Sequence, residues 1–446
     1  MLGAEVMSHG PKKVGILVGG GPAPGINAVI GAATIRAVLS GYDVVGIQDG
    51  FSWIMKGDLE HARPLSIDDV SRIHFRGGSY LGIARANPTK SKELLEETVL
   101  SLLRLEIDKL ITIGGDDTAY SASQVALQSK GRLRVVHVPK TIDNDLDLPG
   151  YADTFGFQTA RHIGVELVEN LMVDAKTTHR WYFVVAMGRK AGHLALGIGK
   201  AAGTTLTLIP EEFPAEGHVP LKTVVDLLAA AIVKRLAAGR SDGVAMIAEG
   251  IVERMEEHDL EGLAGVERDA HGHVRIAEIA FADILKAEVQ KRLKQFGVKA
   301  TIIPKNIGYE LRCADPIPYD MEYARDLGYC AAKYLAEGGS GALVAMVQGS
   351  FQAVPFDTIM DPKTGRMRVR MVDITNDRYM IARRYMLRLR KDDFEDSSQL
   401  ARFANVLDIS IEDFQKEFGY LVEHEPIPRT FYPDERQKPS IAPPGK

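Results

Sequence analysis

Leu110-Ile111-Thr112-Ile113-Gly114-Gly115-Asp116-Asp117-Thr118-Ala119-Tyr120-Ser121-Ala122 decides how the rest of the chain is read. An apolar, β-branched run of strand length stops at two glycines and two acids, and helical spacing follows at once. The stretch reads as a strand, a tight loop and a helix start. Two glycines let the backbone approach a ligand closely. A helix start offers free N–H groups to an anion. Two adjacent carboxylates would repel a phosphate unless a cation sits between them. The loop therefore suggests a metal-bridged phosphate site.

The same pattern recurs on either side. Lys13–Val18 reads as a buried strand, followed by the loop Gly19-Gly20-Gly21-Pro22-Ala23-Pro24-Gly25 and by Ile26, Val29, Ile30 and Ala33 at helical spacing, with Gly41 as a stop. Tyr42–Ile47 is a strand, residues 77–88 form a polar loop carrying Arg85, and Lys92–Leu105 is an amphipathic helix. Arg134–Val138 is another strand, closed by Pro139-Lys140-Thr141-Ile142-Asp143-Asn144-Asp145. Strands alternating with helices predict parallel βαβ units, and ligands in such sheets lie beyond the carboxyl ends of the strands. The loops 19–25, 114–118 and 139–145 should therefore meet on one rim.

A second α/β set follows. Its predicted helices are Phe157–Met172, Leu221–Ala238 and Ile276–Phe296, and its predicted strands are Trp181–Ala186, Thr205–Ile209, Gly243–Ala248 and Lys299–Ile303. A helix at Tyr323–Leu335 and a strand at Ala342–Val347 come after it. Val252–Asp269 is charged, and the region after Asp373 is mixed helical.

With 446 residues, 45% hydrophobic and 25% charged, the chain has globular composition and length for two or three domains. A net charge of −5 favours neither nucleic acid nor an anionic membrane. No apolar run approaches the length of a membrane span, and residues 1–13 lack the apolar segment of a secretory leader. Cys313 and Cys330 have no metal or redox spacing, so a reducing cytoplasm is expected. Residues 425–446 are rich in proline and charge and read as a strap or tail.

Simple motif readings fail in turn. Pro24 stands where a dinucleotide fingerprint needs its third glycine, and no Walker loop is present. The acids from Asp143 to Asp147 are not a calcium loop, since Leu148 and Thr154 replace its glycine and last acid. Arg85, Arg180 and Asp116 each have an ordinary explanation when taken alone: a solvated side chain, a strand-edge charge, a helix cap. His137, His162, His179 and His193 are scattered and read as structural.

Taken together and in order, Gly19–Asn27, Gly114–Thr118, Pro139–Asp145, Met187–Gly192, Glu249-Gly250 and Tyr309–Arg312 resemble the phosphofructokinases, over about residues 13–361. Two positions resemble the pyrophosphate-using branch: Asp117 and Lys140 replace glycines of the ATP-using branch. A carboxylate at 117 would repel a nucleotide's α-phosphate, and Lys140 would give a point charge to a small polyanion.

The resemblance implies two Rossmann-like three-layer α/β domains with mostly parallel sheets and the active site in the cleft between them. Residues 12–156 plus about 313–365 would form the donor domain, and 157–312 plus about 366–424 the sugar-phosphate domain, with tails at 1–11 and 425–446. The implied reaction is reversible phosphoryl transfer from pyrophosphate to fructose 6-phosphate. The catalytic set would be Asp143 as general base with Lys140, Asp117 and Arg189. Gly20, through its N–H, and Arg85 would join Asp117 and Lys140 on pyrophosphate. Thr141, Ile142, Asp143, Arg180, Met187, Gly188, Arg189, Glu249, Tyr309, Glu310, Leu311 and Arg312 would contact the sugar phosphate. Asp116 would reach Mg²⁺, left free because Thr118 is the better helix cap, while Lys190 would be a spectator. Arg180 would act across the interface of a homodimer or homotetramer. An ATP-dependent enzyme, sedoheptulose 7-phosphate as a second sugar, and a non-catalytic subunit are the alternatives; a nicotinamide dehydrogenase fails on its glycine loop.

Overall fold

The structure is a computed structural model that describes residues 13–214, 217–256, 259, 280–361, 367–423 and 425. Both expected tails, most of 252–269 and the first turn expected from Ile276 lie outside the described residues, apart from Glu425. In chain order the strands are β1 (Lys13–Val18), β2 (Asp43–Ile47), β3 (Ala62–Leu65), β4 (Ile107–Gly114), β5 (Arg134–Pro139), β6 (Trp181–Ala186), β7 (Leu206–Leu208), β8 (Gly243–Ala248), β9 (Ile302–Ile307), β10 (Ala342–Val347) and β11 (Ser350–Pro355).

Two sheets result. The larger has the order β11-β10-β5-β4-β1-β2-β3, parallel except for the edge strands β3 and β11; the smaller, β7-β8-β6-β9, is wholly parallel. In β4 only Asp108 is not buried, the near-continuous apolar run expected when helices cover both faces of a sheet. One face packs against the helices Ile26–Val38 and Pro318–Ala336, the other against Lys92–Arg104 and Asp116–Gln128. In the smaller sheet, Trp181, Phe183 and Val185 point into one core, whereas Tyr182, Val184 and Ala186 point into the other. This is the two-residue period of a strand covered on both sides. Both sheets are therefore three-layer α/β units, as the resemblance implies.

The chain crosses between them. The helix Pro318–Ala336 packs on Ile26–Val38 so closely that a Cβ on Gly328 would lie 2.4 Å from the Val29 carbonyl oxygen. The buried carboxylate of Asp320 on that helix accepts bonds from the N–H of Gly156 (2.8 Å), the N–H of Thr159 (2.6 Å) and the Thr159 hydroxyl (2.6 Å). It thereby caps the helix Phe157–Thr178, whose own N-cap, Gly156, has no side chain to do so. The helices Ser397–Leu407 and Ile411–Phe418 return to the smaller sheet, placing Phe403, Phe414 and Phe418 in its core.

Three local expectations are corrected. The strand expected at Lys299–Ile303 runs from Ile302 to Ile307, pairing Trp181 with Ile302 through Ala186 with Ile307. Pro304, Lys305 and Asn306 hide it in the sequence, and an edge strand tolerates them. The helix from Phe157 continues six residues beyond Met172 to Thr178. The short edge strands β3 and β11 carry no strong strand pattern and add to the elements expected from the sequence.

Candidate active site

The three loops do meet on one rim, at the carboxyl ends of β1, β4 and β5. Thr118 is the wedge between two of them. A Cβ on Gly114 would lie 2.4 Å from its side chain, and one on Gly19 would lie 2.6 Å away. Two of the glycines thus admit Thr118 rather than a ligand. Thr118 is not the expected cap; it lies inside the helix Asp116–Gln128, whose N-cap is Gly115. Asp116 supplies the local bond instead, accepting the Asp117 N–H at 2.9 Å.

Gly20 has φ of 85°, a backbone state that L side chains rarely adopt. Its N–H donates to the carbonyl of Ala84 at 3.1 Å, so that group does not face a ligand as expected. The bond instead ties the loop of Arg85, itself exposed, to the end of β1. What Gly20 leaves open is space in front of Lys140, whose Nζ would lie 3.6 Å from a Cβ there. Lys140 is 4% exposed, and its ammonium donates to the Gly21 carbonyl. Burial, then the nearby guanidinium of Arg312, push its pKa down to about 8. Asp117 is exposed, and among the described residues no ion pair joins it to Lys140.

The acids of the next loop lie behind. The Asp143 N–H is held by the Thr141 hydroxyl at 3.0 Å. Burial, reinforced by Glu249, pushes the Asp143 carboxyl up to about 6. Burial, reinforced by Asp143 and Asp116, pushes Asp145 up to about 7. Asp145 belongs to this cluster although only Asp143 was singled out; its clue was its place two residues after the expected base. His137 anchors the rim from beneath, with Nδ1 2.8 Å from the Thr112 hydroxyl and Nε2 3.0 Å from the Gly114 carbonyl oxygen. Its burial holds it neutral, near pKa 3, so the structural reading of this histidine is right.

The opposite rim belongs to the smaller sheet. Met187, Gly188 and Arg189 follow β6, and Glu249 follows β8. The Gly250 N–H donates to the Gly188 carbonyl at 3.1 Å, joining the two loops. Arg189 is largely exposed and pairs with Glu253 at 3.2 Å. Glu249 is pushed upward by burial, against the pull of Arg189. Tyr309–Arg312, expected as a loop, is one helical turn, and Glu310 accepts the Gly308 N–H at 3.1 Å. Arg312 reaches farther than expected: its guanidinium carbon would lie 3.7 Å from a Cβ on Gly21, in the opposite rim.

Two expected contacts do not face the cleft with their side chains. Leu311 and Ile142 are packed in the core of the smaller sheet, and the Leu311 N–H is bound to the Gly308 carbonyl at 3.1 Å. Lys190 is no spectator: its ammonium crosses to Asp116 Oδ2 at 2.8 Å, so Asp116 is not free either. Arg180 stands at the other end of β6, six strand residues or about 20 Å from Met187. It pairs there with Asp174 at 3.8 Å.

Residues 13–335 match the family model for phosphofructokinase. The chain is 53% identical to the pyrophosphate–fructose 6-phosphate 1-phosphotransferase of Thermotoga maritima, covering 92% of this chain and 99% of that protein. It is 48% identical to the protein of the same name from Naegleria fowleri, over 93% and 97% of the two chains. The solved pyrophosphate-dependent phosphofructokinase of Nitrosospira multiformis aligns with a TM-score of 0.64 at 16% identity, over 84% of this chain and 90% of that one, a likeness of fold. Rims from two parallel sheets, ordered loops and extended identity lead to one conclusion: the chain belongs to the phosphofructokinase family.

Proposed function

We propose that the protein transfers a phosphoryl group reversibly from pyrophosphate to the 1-hydroxyl of fructose 6-phosphate, giving fructose 1,6-bisphosphate and phosphate. The observation that carries this reading is the buried ammonium of Lys140 behind Gly20, where the resemblance to the ATP-using branch calls for glycine. A small polyanion without an adenosine needs fixed positive charge, and a site partly closed to water strengthens it. The names of the relatives from Thermotoga maritima and Naegleria fowleri agree with this choice of donor.

In the forward direction Asp143 accepts the proton of the 1-hydroxyl as that oxygen attacks the nearer phosphorus. The bond from that phosphorus to the bridging oxygen breaks, and phosphate leaves with the electron pair. A carboxyl held near pKa 6 is ionised at neutral pH yet basic enough to take the proton. Lys140, Arg85 and Arg312 neutralise the donor, and Asp117 stands where a nucleotide would place further phosphate. Arg189 orients the sugar phosphate through its fork of donors.

The residues suit Mg²⁺. Asp116, Asp143 and Asp145 are near enough to oppose one another's ionisation. Among the described residues, no three His, Cys, Asp or Glu side chains are grouped so as to hold a metal ion by themselves. Magnesium needs none, because it takes one or two carboxylates and fills its shell with phosphate oxygens and water. Asp116 and Asp145 would hold it, and it would supply charge neutralisation between the phosphates.

The donor domain comprises residues 12–156 and about 313–365, the sugar domain 157–312 and about 366–424. Arg180 is out of reach of its own chain's cleft, so it serves the sugar phosphate of a second copy in a homodimer or homotetramer. No described helix is long and apolar enough to cross a membrane, and both cysteines are free, which suits a cytoplasmic enzyme. Initial rates in both directions, with pyrophosphate and with ATP, over fructose 6-phosphate and sedoheptulose 7-phosphate, test the proposal. Turnover with ATP equal to that with pyrophosphate would defeat the reading of Asp117 and Lys140.

A further inference from the structure

Residues 367–372 lie beyond the stretch matched by the family model, yet they touch both rims. Val369 forms an antiparallel bridge with Leu146, just past Asp145. The N–H of Arg370 donates to the Asp145 carbonyl at 2.8 Å. Its guanidinium, in a residue 8% exposed, donates to the Asn144 carbonyl from Nη2 (3.0 Å) and Nε (3.3 Å). It also reaches Asn144 Oδ1 (2.6 Å) and the Ala152 carbonyl (2.9 Å). The other end of the strap holds the sugar rim. The Arg370 carbonyl oxygen lies 2.9 Å from His193 Nε2, at the start of the helix after Met187–Gly192. The Val372 N–H donates to Glu211 Oε1 at 2.9 Å, and the same oxygen accepts the Gly192 N–H at 2.9 Å.

Between Asp143 and Asp145, Asn144 has φ of 56°, a left-handed state that asparagine tolerates better than most side chains and that its polar contacts hold in place. Those contacts are the Arg370 fork and Asn144's own bonds to Asp153 (2.8 Å) and to the Thr154 N–H (3.0 Å). A buried guanidinium spent wholly on carbonyl and amide oxygens is costly unless each bond is made, so it fixes the shape of what it grips. Asp153, Asp147 and Asp145 offset its charge.

We propose that Arg370 is a positioning residue for the phosphoryl transfer: it clamps the Asp143–Asp145 turn and ties that turn, through the strap, to the sugar loop. This rests on Asp143 being the base of the proposed reaction. Because a reacting group misplaced by an ångström loses about a hundredfold in rate, the clamp should act on kcat rather than on substrate binding.

The test compares wild type, Arg370→Met, Arg370→Ala and Arg370→Lys in the pyrophosphate assay, with thermal melts and guanidinium added back. Wild-type turnover alone judges the proposed function; the variants judge the clamp. Arg370→Met should lose about a hundredfold in kcat, with KM for both substrates within about threefold. Guanidinium should restore part of the Arg370→Ala rate, whereas methylammonium should not. Arg370→Lys keeps the charge but cannot span Asn144 and Ala152 together, and should lose rate per folded molecule beyond what its lowered Tm accounts for. It decides the matter if the shorter variants do not fold. Wild-type kcat per folded molecule in Arg370→Lys, or a loss that follows only the folded fraction, would overturn the proposal.

Discussion

The two rims of the cleft solve the same problem in different ways. On the larger sheet the innermost charges are withdrawn from water, while Arg85 and Asp117 at its edge stay exposed: Lys140 is 4% exposed, and the carboxyls of Asp143 and Asp145 are pushed up by desolvation. On the smaller sheet, Arg189 keeps 60% of its side chain in solvent and Tyr309 is 73% exposed. A buried charge is expensive but unscreened, whereas an exposed guanidinium costs little and acts weakly until a ligand covers it. The proposed function accordingly puts the chemistry on the costly side and recognition on the cheap side. The two meet through Lys190 on Asp116 and through Arg312 beside Gly21.

The largest effect expected from that contrast is at the buried rim. Asp143→Asn should lower kcat by about 10²- to 10⁴-fold, the usual contribution of a positioned base, measured by phosphate release. It should not lower Tm. The raised pKa means that the unfolded chain ionises first as pH rises, so the native carboxyl costs stability from the ordinary carboxylate range up to about 6 and beyond. The melting advantage of Asn should grow across that window; a Tm deficit at pH 7 would argue that Asp143 is a structural acid.

The donor-selecting pair comes next. Asp117→Gly combined with Lys140→Gly should cost about tenfold or more in kcat/KM for pyrophosphate, the loss of one charge-assisted bond, and should admit ATP. If ATP still fails while pyrophosphate turnover persists, the pair does not choose the donor. At the exposed rim, Arg189→Ala should raise KM for the sugar phosphate about tenfold with a smaller change in kcat, as for loss of a charged hydrogen bond. Arg180→Ala should do the same, and mixing it with an Asp143→Asn chain should restore some activity if the residue serves a partner's site.

The pH profile gives a subtler comparison. For the free enzyme, kcat/KM should fall below about pH 6 as Asp143 protonates, and above about pH 8 as Lys140 loses its charge. Lys140→Arg, which stays charged, should flatten the alkaline limb alone. The smallest effect expected is at Gly114. Gly114→Ala would press a methyl against Thr118 and cost about 1–3 kcal/mol of stability, read from denaturant midpoints. Pairing it with Thr118→Gly, which removes all three atoms that methyl would meet, should recover part of the loss.

Much of this site is legible in the chain. The runs Leu110–Ile113 and Trp181–Ala186 are buried throughout and apolar but for Thr112 because both faces of each sheet are covered, so their strands and the loops after them are evident. The Thr141–Asp145 turn read alone is an ordinary solvated turn, and it becomes legible only through its order among the other loops. Edge strands are less so, since Pro64 and Pro304 break the pattern that burial would impose. Single side chains fare worst. Nothing local says that Gly114 and Gly19 make room for Thr118, that the Gly20 N–H is spent on Ala84, or that Leu311 faces the core beside an exposed Tyr309. Gly19 meets Thr118, and Gly20 meets Ala84, across tens of residues, and even Gly114, close to Thr118 in the chain, depends on how the strand hands over to the helix.

The sequence by itself determined the alternation of strands and helices, the loops at the strand ends and the acids and cations they carry, because burial and backbone preference act over short stretches. Only the tertiary structure decided which of those charges lose their water, and which pair across the cleft. It brought Lys190 to Asp116 and folded Arg370, 226 residues away, onto Asn144. Desolvation and ion pairing depend on distance in space, and the order of residues along the chain does not contain it.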